Sequence, residues 1–314
     1  LQLILLSKKT FKILFFIFLA GGSELAHASV DVYQTIYDGV HLDSLWANLR
    51  MMTGYDFITL NGETYTISKR DTDLDKKHFR EFYINYFQKL GVPVQEIPYA
   101  GGVHVEAVLE GKTKDSVICI SHYDSYGDSE NHAVDDAASG IAVMLEAAKL
   151  LVPLKDRLEH TIRFVIADGE EGQGGPAFYG AYISKLAKDQ NIKLLGSVDF
   201  DQMGWVSPQN DGSHFDLYVR DVNKAKSLID IATDVTTAYS PLKLKIAGLG
   251  KSRVDADFLE SFGIPGITPA EMDDPKNPFK DNSGDNLDKI APEYFLNLAK
   301  LGATILAKVT GISP

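Results

Sequence analysis

Four short stretches of this chain gather the residue types that hold metal ions and move protons. His122 and Asp124 close the apolar run 117–120, and Asp135 and Asp136 stand side by side ahead of a helical stretch. Glu170 and Glu171 follow the run 162–167 and Asp168, and Asp201 follows 194–200. Imidazole nitrogen combined with carboxylate oxygen suits zinc or a similar divalent ion. Adjacent carboxylates such as Glu170 and Glu171 repel each other unless a cation or a proton stands between them. One of the two can then hold a metal while the other acts as general base towards water. His122 and Asp124, two apart on an extended strand end, are predicted to share one side. Taken alone, Asp136 reads as an acidic residue favourable to a helix N-terminus; four such coincidences in one chain read as a site.

Positioning these groups falls to the elements around them. Apolar residues at 79, 82, 83, 86, 87 and 90 have helical spacing, and Gly91 with Pro93 marks the end of a helix over 76–90. Segments 103–109 and 116–121 read as strands, and 139–151 as a helix burying Ile141, Met144, Leu145, Ala148 and Leu151. Three β-branched runs separated by helical segments predict an α/β fold with a mixed, largely parallel central sheet flanked by helices. In such sheets ligands bind beyond the carboxyl ends of the strands, where each of these runs delivers its acid or imidazole groups.

The whole chain has 314 residues, 45% hydrophobic, with a formal net charge of −12. That balance argues against gripping a phosphate backbone, so no nucleic-acid partner is expected. The single cysteine, Cys119, excludes an internal disulfide framework and a thiolate zinc cluster and reads as a small core residue. Lys8, Lys9 and Lys12, the apolar run 13–20 and Ala26-His27-Ala28 form the pattern of a secretory signal cut after Ala28. The expectation is a leader over 1–28, a single domain over 29–314, no stable membrane association once the leader is removed, and a secreted or periplasmic location. Oligomeric state is not legible.

Ser-His-Tyr-Asp-Ser (121–125), Asp-Asp-Ala-Ala-Ser-Gly (135–140), Gly-Glu-Glu-Gly (169–172) and Asp-Phe-Asp-Gln-Met-Gly (199–204), in this order and spacing, resemble the secreted bacterial zinc aminopeptidases with two co-catalytic metals, relatives of glutamate carboxypeptidase and glutaminyl cyclase. The likeness covers about residues 75–310. It implies a site at the carboxyl edge of the sheet holding two divalent ions, zinc foremost, and a peptide substrate. It assigns His122 and Asp201 to the first metal, Asp136 to both and Glu171 to the second. Glu170 becomes the general base towards a metal-bridged hydroxide, and Asp124 the carboxylate that orients the site. Arg253 falls where some members carry an arginine near the substrate carbonyl, and Glu170 and Asp201 are candidates to meet the substrate's free amino group.

The chain departs from that family in two places. The fifth ligand there is a histidine in a late His-Thr-x-x-Asp-Thr motif, whereas the last histidine here is His214. Aligning Asp285-Asn286-Leu287 with the end of the motif puts Asp281 at the ligand position, and Asp255-Ala256 replaces an Asp-His pair. Two readings stay open. Either Asp281 completes an all-carboxylate second set that admits manganese or magnesium as well as zinc, or the second metal is absent. Three functional classes follow from the resemblance: a metallo-aminopeptidase, a glutaminyl cyclase, to which Asp-Gly-Glu-Glu (168–171) is reminiscent, and a binding module that has lost catalysis. Ser139-Gly140 looks more like the peptidases. His132, four before Asp136, could approach the site, though an exposed loop position is expected; His41, His78, His104, His160 and His214 are expected at the surface or partly packed. Tyr179, Trp205 and Phe262 could line a pocket, with core packing the better expectation for each.

Overall fold

A computed structural model describes residues 31–126, 131–248 and 254–313. The leader predicted over 1–28 and the candidate Arg253 lie outside the described residues. From Asp31 onward the chain clusters as one unit around an eight-stranded sheet.

The strands are β1 (Ile58–Leu60), β2 (Glu63–Tyr65), β3 (Val94–Tyr99), β4 (Gly102–Leu109), β5 (Thr113–His122), β6 (His160–Ala167), β7 (Leu194–Asp199), β8 (His214–Tyr218), β9 (Lys243–Ala247) and β10 (Gly266–Glu271). The helices are α1 (Val32–Gly39), α2 (Leu42–Met52), α3 (Asp73–Lys89), α4 (Gly140–Leu151), the short α5 (Glu170–Gln173), α6 (Gly175–Gln190), α7 (Lys226–Tyr239), α8 (Asp255–Glu260) and α9 (Pro292–Thr310). β1 and β2 form a separate hairpin, and the main sheet runs β3-β4-β6-β5-β7-β10-β8-β9. Its centre, β6-β5-β7-β10, is parallel; the β3-β4, β4-β6 and β10-β8 pairings are antiparallel. The mixed, largely parallel sheet expected from the spacing of apolar runs is therefore present.

β5 shows why the central strands read as unbroken apolar runs. Val117 and Cys119 enter the larger core, while Ile118 and Ile120 enter the smaller one on the opposite side of the sheet. A strand covered on both faces has no polar side to alternate with. The larger core takes residues from α1, α2, α3, α4, α7 and α9, and the smaller takes Tyr179 and Ile183 of α6 and Leu259 of α8. Helix α4 is buried on nearly all sides, because α2 and α9 pack against it as well as the sheet. The run Val134–Arg157 has the length and apolarity of a membrane-crossing helix, but 72% of its apolar 18-residue stretch is enclosed by protein.

The α3 helix begins at a Thr72 cap whose side chain accepts the Asp75 N–H at 3.2 Å, with Asp73 and Asp75 in the first turn. One boundary bears on the site. Helical geometry is continuous only from Gly140; residues 134–139 form an irregular, wholly buried turn in which Asp136 leaves helical angles (φ −103°, ψ 94°). Gly140 permits this packing, since a Cβ there would sit 2.0 Å from the Phe200 carbonyl oxygen at the end of β7. The two segments carrying Asp136 and Asp201 thus approach closer than any side chain would allow.

Candidate metal centre

The carboxyl ends of β5, β6 and β7 lie side by side, and each delivers one part of the cluster. His122 is the last residue of β5, Glu170 and Glu171 follow β6, and Asp201 lies just past β7. The turn before α4 adds Asp136, and the segment between β10 and α9 adds Asp281. Two sets of side chains could each hold a metal ion: His122, Asp136 and Asp201, and Asp136, Glu171 and Asp281, with the ligand atoms of each set within 4.8 Å of one another. Asp136 belongs to both. Its Oδ1 lies 3.0 Å from His122 Nε2, which is also 3.5 Å from Asp201 Oδ1.

The imidazole is oriented by its other nitrogen. His122 Nδ1 lies 3.1 Å from the main-chain oxygen of Asp124, an atom that can only accept, so Nδ1 donates and Nε2 faces the carboxylates. Asp124 does more than hold the ring. Its Oδ1 accepts the Glu170 N–H at 3.2 Å and its Oδ2 the Glu171 N–H at 3.1 Å, fixing the paired glutamates. Gly169 supplies the left-handed φ of 76° that starts this tight turn.

Electrostatics identify what the cluster lacks. Burial pushes Glu170 up to about 8, with Asp201, Asp136 and Asp124 adding to it against the pull of His122. Burial, Asp136, Asp281 and Glu170 push Glu171 up to about 10. Burial and Asp136 also raise Asp281. Burial alone would lower His122, yet Asp136, Asp201 and Glu170 lift it well above the usual histidine range. Too many carboxylates converge for the fixed cations present, and Oδ1 of Asp201 and Oδ1 of Asp281 are buried without a hydrogen-bond partner. Buried charge of this kind calls for a cation, so the donor set fits divalent metal.

A surrounding layer of polar contacts escaped the sequence reading. Asp285 accepts the N–H groups of Asp135 and Asp136 at 2.9 and 3.1 Å, and Asp135 Oδ1 accepts those of Met203 and Gly204 at 3.2 and 2.9 Å. Gln202 Nε2 donates to Asp136 Oδ2 at 3.2 Å. Arg70, fully buried, donates to the carbonyls of Tyr123 and Ala133 at 2.7 and 2.8 Å. Asp135, Gln202 and Asp285 stand in or beside the quoted motifs, though their contacts were not legible there; Arg70 comes from a segment with no motif at all. Asp255 is buried at 1% exposure with neither carboxylate oxygen hydrogen-bonded.

The remaining candidates divide. His132 is half-buried, not an exposed loop residue: Nδ1 lies 2.9 Å from the Thr53 carbonyl and the ring meets Tyr55, so it joins neither ligand set. His104 is fully buried and stacked on Tyr99, where a surface or partly packed position was expected, because β4 is covered by α6 residues on that face. Cys119, Tyr179 and Trp205 pack in the interior, whereas Phe262 is 40% exposed.

The chain thus combines a largely parallel sheet with two carboxylate-rich ligand sets at its carboxyl edge. Residues 104–306 match the family described as Peptidase family M28, and the chain belongs to that family, one of peptidase hydrolases. No curated protein sequence matches the chain. Among solved structures it is similar to the LapA aminopeptidase of Legionella pneumophila, at 17% identity over 90% of this chain and 75% of that one, with a TM-score of 0.74. It is similar to the glutaminyl cyclase of Macrostomum lignano, at 16% identity over 91% of this chain and 94% of the other, with a TM-score of 0.72. A Zn-dependent exopeptidase of Parabacteroides distasonis matches at 16% identity, covering 86% and 98% of the two chains with a TM-score of 0.66. At these identities the likeness is one of fold.

Proposed function

We propose that the chain is a metal-dependent exopeptidase that removes N-terminal residues from peptides, exported by the leader expected over 1–28. The observation that carries this reading is the sharing of Asp136 between two ligand sets, with Glu170 beside both and a member of neither. His122, Asp136 and Asp201 would hold one divalent ion, for which zinc suits the imidazole. Asp136, Glu171 and Asp281 would hold a second, and an all-oxygen set of this kind also accepts manganese or magnesium. When bound, such ions supply Lewis acidity towards a scissile carbonyl and make water a better nucleophile at neutral pH.

The protein's own groups do the rest. Glu170 takes a proton from the attacking water and returns it to the departing amine, a task for a carboxylate held outside the ligand sets. Asp124 fixes Glu170 by its main-chain N–H and keeps the His122 ring in one tautomer. The acidic wall of Glu170 and Asp201 favours a substrate whose end carries an ammonium group, which supports action from the N-terminus.

Hydrolysis of aminoacyl-nitroanilides by protein stripped with chelator and reloaded with zinc, manganese or magnesium tests this. Release restored by metal is the expected result. Silence towards the whole series, together with cyclisation of a glutamine-initiated peptide, would replace it by a cyclase; silence towards both would leave carboxypeptidase-like action from the C-terminus or a peptidase-like binding module.

A further inference from the structure

Lys280 directly precedes Asp281, and its Nζ lies 3.8 Å from Oδ2 of Asp136 and 3.7 Å from Oδ1 of Asp274. Asp136 and Asp274 are both buried, while the Lys280 side chain keeps 29% of its surface exposed. The shared carboxylate is therefore divided: Oδ1 faces the imidazole of His122 at 3.0 Å, and Oδ2, which accepts from Gln202 Nε2 at 3.2 Å, also faces the ammonium of Lys280. Asp274 also pairs with the ammonium, and Oδ1 of Asp274 has no hydrogen-bond partner to compete for it.

The second ligand set, Asp136, Glu171 and Asp281, consists of three carboxylates. Among the described residues, Lys280 is the one lysine or arginine within ion-pair distance of any member of that set. An ammonium less than 4 Å from a carboxylate of the set repels an incoming divalent ion, which lowers that repulsion by displacing it. A four-carbon flexible stem reaching solvent makes the displacement reversible.

We propose that Lys280 is a resident counter-charge for the second ligand set, so that the protein keeps one divalent ion tightly at His122, Asp136 and Asp201 and takes the second weakly and exchangeably. The proposal rests on the metal-centre reading above and adds to it a residue that sets how many ions are held and at what ambient concentration the second enters.

The test counts metal. Wild type, Lys280→Met, Lys280→Gln and Lys280→Arg are loaded with zinc, dialysed against metal-free buffer and assayed for ions per chain. The second dissociation constant is then measured by calorimetric titration. Wild type and Lys280→Arg are expected to retain one ion. The two uncharged variants are expected to retain two, with the second site tightened by about tenfold or more, the scale on which groups around a metal site act. Equal counts and equal second constants in wild type and both uncharged variants overturn the role of Lys280. Retention of no ion by any of the four proteins, even in excess zinc, defeats the metal-centre reading itself. Lys280→Gln carries the test should Lys280→Met fail to fold.

Discussion

The guanidinium of Arg70 donates through Nε to the main-chain oxygen of Tyr123 at 2.7 Å, the residue that separates His122 from Asp124. The same side chain reaches the carbonyls of His132 and Ala133, just ahead of Asp135 and Asp136. One buried cation thus ties together the two segments that carry His122 and Asp136, and burial lowers its pKa to about 10. Lysine keeps the charge but lacks the planar fork that meets several carbonyls at once. Arg70→Lys is expected to weaken divalent-metal binding by about tenfold or more, as well as lowering the unfolding temperature. Metal titration separates the two effects: a lower melting temperature with unchanged metal affinity would make Arg70 a core residue only.

Glu170 is placed to move protons without holding metal. Replacement by glutamine preserves its size but removes the base, so Glu170→Gln is expected to lower kcat by about 10²–10⁴-fold. Metal content measured by elemental analysis should stay at the wild-type level. Equal turnover in mutant and wild type would remove Glu170 from the mechanism.

Asp281 contributes to the second set alone. In excess metal, Asp281→Asn is expected to saturate with one ion fewer than wild type while the first site keeps its affinity. An amide oxygen is a weaker donor than a carboxylate towards a hard cation. Unchanged stoichiometry at saturation would take Asp281 off the ligand list.

His104 offers a pH signature away from the metal site. Burial lowers its pKa to about 4, opposed only in part by Asp168. An unfolded chain takes up this proton near pH 6.5, the folded protein only near pH 4, so the unfolded state binds more protons in between. The contribution is therefore full above about pH 6.5 and is lost as pH falls towards 4, amounting to about 3 kcal/mol in all. His104→Asn retains an acceptor for the Asp168 N–H that His104 Nδ1 receives at 3.2 Å. Denaturant unfolding of the two proteins across pH 4–7.5 should show a shallower acid decline for the mutant. Parallel curves would show that His104 is not held neutral.

Residue order alone determined the central strands and most of the cluster. The runs ending in His122, in Asp168 with Glu170 and Glu171, and in Asp201 are buried on both faces, so they stand out as apolar, and the residue types at their ends announce the site. Parallel β6-β5-β7 order then brings those ends together. Asp281 was legible only through the resemblance, because nothing in Lys-Asp-Asn-Ser-Gly-Asp-Asn distinguishes a ligand from a polar turn. Only the tertiary structure decided the rest. Arg70 lies 53 residues from Tyr123, and Asp285 lies 149 residues from Asp136. Contacts between such distant segments leave no periodicity in either one. The burial of His104, the engagement of Asp136 by His122, Gln202 and Lys280 and the burial of Asp255 without a hydrogen bond to its carboxylate likewise arise when separate elements exclude water from a shared space, a property that no single stretch of sequence possesses.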